Sequence, residues 1–145
     1  MDTLTPEQRH KNMSAIHSTA TKPEIKVRRW LWQRGFRYRL NVKSVPGKPD
    51  VVLRKYRTAI FVNGCFWHGH ENCPKSHLPK TNMEFWSKKI ECNKRNDKKN
   101  RETLEKNGWQ VVVVWECELK SAEFEKTMLK VEHLLNTNLL RKFQI

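Results

Sequence analysis

The sequence predicts a mixed α/β fold, a β-sheet flanked by helices, and three observations carry that prediction. Apolar side chains recur at helical spacing before residue 35 and after residue 123. Alternating or unbroken apolar stretches of strand length fall between them, separated by turns rich in Pro, Gly and Asn. The predicted order is α, β, β, β, α, β, α, with no internal repeat and no second core. One domain over residues 1–145 is expected, with 1–20 as an arm toward a partner and 121–145 as a closing helix.

Each element has a local reason. In "TPEQ", residues 5–8, Thr5 caps, Pro6 suits a first turn and Gln8 completes a capping box. The stretch that follows, to Thr21, has few apolar anchors and is expected to order on a partner. From Lys22 to Arg34, Val27, Trp30 and Leu31 share one helical face, and Gly35 stops the helix. In "FRYRLNVK", residues 36–43, Phe36, Tyr38, Leu40 and Val42 alternate with Arg37, Arg39, Asn41 and Lys43. That pattern predicts a half-buried strand with a basic outer face. "VPGKP" turns, "DVVL" resumes the sheet at Asp50, "RKYR" turns again, and "TAIFV" is a buried strand running into Asn63-Gly64. Residues 64–81 have little periodicity and include Pro74 and Pro79, so this loop needs something to hold it. "TNME" at 81–84 reads as a capping box opening a long charged helix that Gly108 ends. The unbroken run in "WQVVVVW" predicts a central strand, and Phe124, Met128, Val131 and Leu135 define an amphipathic last helix.

Charge narrows the function. Lys and Arg number 29 against 15 Asp and Glu, a formal net charge of +14. Such an excess suits a polyanion, because each neutralised phosphate releases condensed counterions. Six Trp and six Phe add stacking groups, which favours nucleic acid over a merely soluble or ribosome-associated surface. The N-terminus is polar and no apolar run reaches the ~20 residues a membrane helix needs. A cytoplasmic protein is therefore expected, with its cysteines reduced.

The chemistry-bearing residues gather around "FVNGCFWHGHENC", residues 61–73. Cys65, His70 and Cys73 are close enough to wrap one ion, and Cys117 beyond the fourth strand can supply a fourth ligand. Thiolates plus imidazole favour tetrahedral Zn²⁺ in a closed structural site; the alternative is buried thiols beside a surface histidine. Cys92, on the charged helix, reads as a free thiol. His68 lies between the candidate ligands and suits proton transfer; for a lone histidine a structural hydrogen bond would be the better reading, but two acids elsewhere change the odds. Asp50, at the entry to a strand, suits a hard divalent cation such as Mg²⁺. Alone, Asp97 reads as a charge balance and Glu24 as a helix-dipole acid. Phe66, Trp67 and Trp86 could wedge between bases or anchor the loop. Adjacent on an extended segment, Phe66 and Trp67 would point opposite ways.

"PD" before a strand, with a second strand about a dozen residues on, resembles the PD-(D/E)xK nuclease core. The second strand, "AIFVNG", holds neither the second acid nor the lysine, so histidine chemistry has to replace them. From about Lys11 to Leu119 the chain resembles the very-short-patch repair (Vsr) endonucleases, bacterial enzymes that nick DNA 5′ to the thymine of a T:G mismatch. "KNMSAI", "GKPD", "FVNGCFWHGH", "TNMEFWSKKI", the aspartate of "NDKK" and "GWQVVVVWEC" carry the resemblance, in order.

The resemblance implies a restriction-endonuclease-like core with a structural zinc. Asp50 matches the Mg²⁺-binding aspartate, and Val62 the residue whose backbone carbonyl also binds metal. His68 matches the histidine base for the attacking water, Asp97 its supporting acid, and Glu24 the helix glutamate of the same site. Cys65, His70, Cys73 and Cys117 match the zinc ligands. Phe66, Trp67 and Trp86 match an aromatic wedge, and Met13 an intercalating residue of the N-terminal, DNA-contacting arm. Val62 and Asn63 stand where the family pattern has Thr and His, which leaves Asn63 as a supporting residue at most. Two residues, Glu71 and Asn72, separate His70 from Cys73 where the pattern has one.

The implied activity is Mg²⁺-dependent nicking near T:G mismatches left by deamination of 5-methylcytosine. The expected setting is a monomer on nucleoid DNA in the bacterial cytoplasm, working with a DNA cytosine methyltransferase and a downstream repair polymerase and ligase. Two rivals stay open: a homing or restriction-type nuclease of other specificity, and a non-catalytic, zinc-stapled DNA-binding module.

Overall fold

A computed structural model describes residues 21–40 and 42–142. The N-terminal arm, its helix start at 5–8 and Met13 lie outside the described residues. The first helix, α1 (Lys22–Gln33), starts where Thr21 Oγ1 accepts the Glu24 N–H and Pro23 occupies the first turn. It buries Val27, Trp30 and Leu31, the face that helical spacing assigns to the core.

The sheet has four strands in spatial order β1 (Arg39–Leu40), β2 (Val51–Leu53), β3 (Thr58–Asn63) and β4 (Gln110–Trp115). β1 and β3 run antiparallel to β2, and β3 runs parallel to β4 with Val62 opposite Val114 and Asn63 opposite Trp115. The long helix α2 (Met83–Lys106) makes the crossover between the parallel strands, and α3 (Phe124–Lys142) closes the described chain. Side chains of β2, β3 and β4 alternate between two cores. Val51, Leu53, Ile60, Val112 and Val114 pack with α1 and with Met128, Val131 and Leu135 of α3. Val52 and Ala59 pack on the opposite face with Leu104 of α2 and with Trp109. The result is a mixed sheet between helical layers, as the pattern predicts.

Three local expectations need correction. β4 is not central: among the described strands it pairs only with β3, at one edge. Val112 and Val114 are buried on one face while Val111, Val113 and Trp115 are half-buried on the other, so the apolar run does not need a central place. Among its described residues the alternating stretch 36–43 pairs only at Arg39–Leu40, and Leu40 is exposed although Phe36 is buried. At α2, Asn82 is the cap residue, in the left-handed region at φ 57°, and no side chain caps it, so "TNME" is not a capping box. None of the described helices is long and apolar enough to cross a membrane.

This topology decides where chemistry can occur. β3 and β4 end side by side, and the 64–81 loop and Glu116–Cys117 leave from those ends. Asp50 enters β2 at the same place, because β2 runs antiparallel to β3. Carboxyl ends of neighbouring parallel strands are the usual ligand crevice of an α/β sheet.

Candidate active site

An open cleft of ≈560 Å³ lies at these strand ends, lined by Glu24, Asp50, Val62, Asn63, Trp67, His68, Asp97 and Glu116 among others. Four sequence-predicted residues from four elements therefore meet: Glu24 from α1, Asp50 before β2, His68 from the loop and Asp97 from α2. The Val62 N–H donates to Asp50 Oδ2 at 2.6 Å, which fixes the carboxylate against β3. Burial pushes the Asp50 carboxyl up to about 7; the Val62 N–H opposes that shift, while the charge and hydrogen bond of nearby Glu24 add to it. Two carboxyl groups in one partly buried place, with oxygen the donor on both, are a fit for a hard divalent cation.

His68 Nδ1 lies 2.6 Å from Asp97 Oδ2. With its proton on Nδ1, the imidazole donates to the carboxylate and leaves Nε2 free to accept a proton from water. His68 is held by its neighbours in the chain. Its N–H donates to the Gly64 carbonyl at 3.2 Å, and His70 N–H donates to the Cys65 carbonyl at 2.9 Å. Gly69, at φ 59°, presses against α2, where an added Cβ would sit 2.4 Å from Lys94 Cε and 2.7 Å from Ile90 Cγ2. The positive φ and the close approach to Ile90 favour glycine here, where the loop packs on the helix that carries Asp97.

Ligand atoms of Cys65, His70, Cys73 and Cys117 all lie within 4.8 Å of one another. Between His70 and Cys73 the chain turns at Glu71-Asn72, with Asn72 in the left-handed region at φ 57°. Burial pushes the Cys65 thiol up to about 12 and raises Cys117 as well. A dication would reverse that preference by binding the thiolates. Three thiols and an imidazole in this closed arrangement suit a structural metal, with His70 stacked 4.1 Å from Trp115. Cys92 is exposed on α2, apart from the cluster.

Phe66 and Trp67 do not point opposite ways, because residues 65–69 form turns rather than an extended segment. Their rings meet at 5.2 Å, and each contacts Trp86, at 5.4 and 5.5 Å, in edge-on geometry. The triangle is only half-buried, and Phe85 extends it, 60% exposed and 5.2 Å from Trp86. Sequence reasoning missed Phe85, although its place beside Trp86 in "EFW" was a signal. It also missed Asn93, whose amide donates to the Trp67 carbonyl at 2.8 Å, and Glu116 in the cleft. Nothing in the spacing marks Asn93, since its partner is distant in the chain.

The family described as DNA mismatch endonuclease Vsr matches residues 1–75. The type II nicking enzyme V.NmeAIP of Neisseria meningitidis is 53% identical over 120 residues, covering 83% of this chain and 85% of that protein. The chain belongs to the Vsr family of DNA mismatch endonucleases. Other Vsr relatives are similar over comparable lengths. The type II nicking enzyme V.XorIIP of Xanthomonas oryzae is 46% identical, over 81% of this chain and 86% of its own. The DNA mismatch endonuclease Vsr of Escherichia coli is 41% identical, over 79% and 73%. An endonuclease acting on DNA agrees with the basic composition and with a cleft that joins paired acids to a histidine.

Proposed function

We propose that this chain is a Mg²⁺-dependent Vsr endonuclease that nicks one strand 5′ to the thymine of a T:G mismatch arising from deaminated 5-methylcytosine. The supporting observation is a juxtaposition. His68, paired with Asp97, and the half-buried rings of Phe66 and Trp67 belong to one loop, and that loop starts and ends at the Cys/His cluster. Rings inserted beside a mispair would unstack a step already weakened by its mismatch. The same rigid loop would set His68 beside a neighbouring phosphate.

Asp50 and the Val62 carbonyl would hold Mg²⁺, with Glu24 holding Asp50; the bound ion supplies positive charge at the phosphate and the 3′-oxygen leaving group. His68 Nε2 takes the proton of the attacking water, and Asp97 keeps the imidazole oriented and stabilises its cation. Asn63, buried between the cleft and β4, supports this wall through packing rather than proton transfer. Cys65, His70, Cys73 and Cys117 would bind Zn²⁺. Met13 would reach the helix from the N-terminal arm. One copy of the chain suffices for a single nick, and the lesion ties the enzyme to a cytosine methyltransferase before it and to a repair polymerase and ligase after it, on bacterial nucleoid DNA.

A strand-labelled duplex with one T:G pair, beside its C:G control, tests the proposal. The expected result is a Mg²⁺-dependent nick in the mismatched duplex, lowered at least ~10²-fold by His68→Ala or Asp50→Ala. Equal cutting of both duplexes would replace the mismatch reading with a restriction-type one. Binding without any cut would leave a DNA-binding module.

A further inference from the structure

Lys48 lines the catalytic cleft and has no role so far. Of the described residues lining that cleft it is the only Lys or Arg, beside four carboxylates, Glu24, Asp50, Asp97 and Glu116. No ion pair or side-chain hydrogen bond engages it among the described residues. A phosphodiester entering so acidic a place meets repulsion, which further positive charge beside it would lower. β3, which follows the strand that Asp50 enters and would be the second strand of a PD-(D/E)xK core, reads "AIFVNG" and offers no lysine.

The backbone at Lys48 gives an independent reason to ask why a lysine stands there. It sits at φ 49°, in the left-handed region, directly before the fully buried Pro49. A non-glycine side chain is disfavoured at such a φ, and a following proline biases a residue toward extended backbone. The turn cannot easily relax. Lys48 N–H donates to the Val45 carbonyl at 3.3 Å, and an added Cβ on neighbouring Gly47 would lie 2.9 Å from Asn100 Cβ of α2. Glycine would hold this conformation without strain. Residues kept against local backbone preference concentrate at functional sites.

We propose that Lys48 is a further catalytic residue, whose ammonium contacts a non-bridging oxygen of the phosphate being cut and supplies the positive charge that the second strand lacks. This rests on the nuclease reading above. The test uses the full chain and three variants, Lys48→Gly, Lys48→Gln and Lys48→Arg, each read three ways: by thermal melting, by single-turnover nicking of the T:G duplex at saturating enzyme, and by the salt dependence of duplex binding without Mg²⁺.

Lys48→Gly is expected to melt at or above the wild type, because the strained φ suits it. Its nicking rate and that of Lys48→Gln should nevertheless fall by ~10²–10³-fold, as for loss of one charge-stabilising donor. Lys48→Arg should recover most of the rate. The salt slope of binding should drop by about one in the two uncharged variants. Wild-type rates in Lys48→Gly and Lys48→Gln, or an Arg variant as slow as the Gly variant, would overturn the proposal. If the wild type cuts no duplex, the nuclease reading fails by itself. The salt slope then decides the phosphate contact, and an unchanged slope in Lys48→Gln overturns it.

Discussion

Asp50 is pulled in opposite directions by its surroundings. Burial and Glu24 favour its protonated form, while the Val62 N–H favours the anion, and the balance stands at about 7 against an ordinary 3.8. The folded chain thus holds more protons than the unfolded one between those values. Stability contributed by this group falls as pH rises from about 4 to about 7, and the loss is complete above that window. Asp50→Asn, which cannot ionise, is expected to melt about 5 °C above the wild type at pH 8 in Mg²⁺-free buffer and level with it at pH 4. Thermal melts at the two pH values check this; a variant no more stable at pH 8 would show that Asp50 carries no such strain. Added Mg²⁺ should stabilise the wild type more than the variant, because only the wild type keeps the carboxylate ligand. The residue types at this site were legible in the chain, Asp50 from its place after "GKP". Its altered proton affinity was not, because the burial and the second carboxyl come from α1 and β3.

At the scale of elements, the 64–81 loop depends on what holds it. It has the 3-10 turn Pro74–Ser76 and few buried apolar residues beyond the sulfurs, so a metal in the Cys/His cluster would be its main anchor. The Ser76 hydroxyl bonded to the His70 carbonyl at 2.7 Å adds a smaller one. The four cysteines make this testable by titration with a thiol reagent. With metal bound, Cys92 alone is expected to react, since it is exposed and the other three would be held as ligands. Stripping the metal should bring the count to four thiols and abolish preference for a mismatched duplex, because Phe66 and Trp67 would lose their fixed base. Four reactive thiols before stripping would show that no metal is held. α2 supports the same loop from the other side. Its 24 residues span about 36 Å, long enough for Leu104 to cover the sheet while Ile90 and Asp97 reach the loop.

For the whole molecule, the proposed function would divide the labour of binding between a charge of +14 and a half-buried aromatic triangle. The charge should set affinity for any duplex, and the rings the preference for a mispair. Phe66→Ala is accordingly expected to reduce the ratio of T:G to matched binding by about tenfold or more, leaving the slope of log affinity against log salt unchanged. Binding isotherms at several salt concentrations measure both quantities. A changed slope with an intact ratio would mean that the rings serve folding rather than recognition.

By itself the sequence determined the order of elements, the faces of α1 and α3 that enter the core, and the kinds of atom available for chemistry. Those follow from periodicity and residue type, which are local properties of the chain. Only the tertiary structure decided that β4 lies at an edge, since an apolar run reports residue type and not the number of neighbouring strands. It also decided that Phe66 and Trp67 share one cluster, because a turn overrides the alternation of an extended segment. The meeting of Cys117 with Cys65, His70 and Cys73, and of Asp97 with His68, came from the parallel pairing of β3 with β4 and the crossover through α2. Distance along a chain carries no measure of distance through space, so spacing offered Cys117 as a fourth ligand and the family resemblance offered Asp97 as the partner of His68, while the fold is what brings each pair of partners within reach.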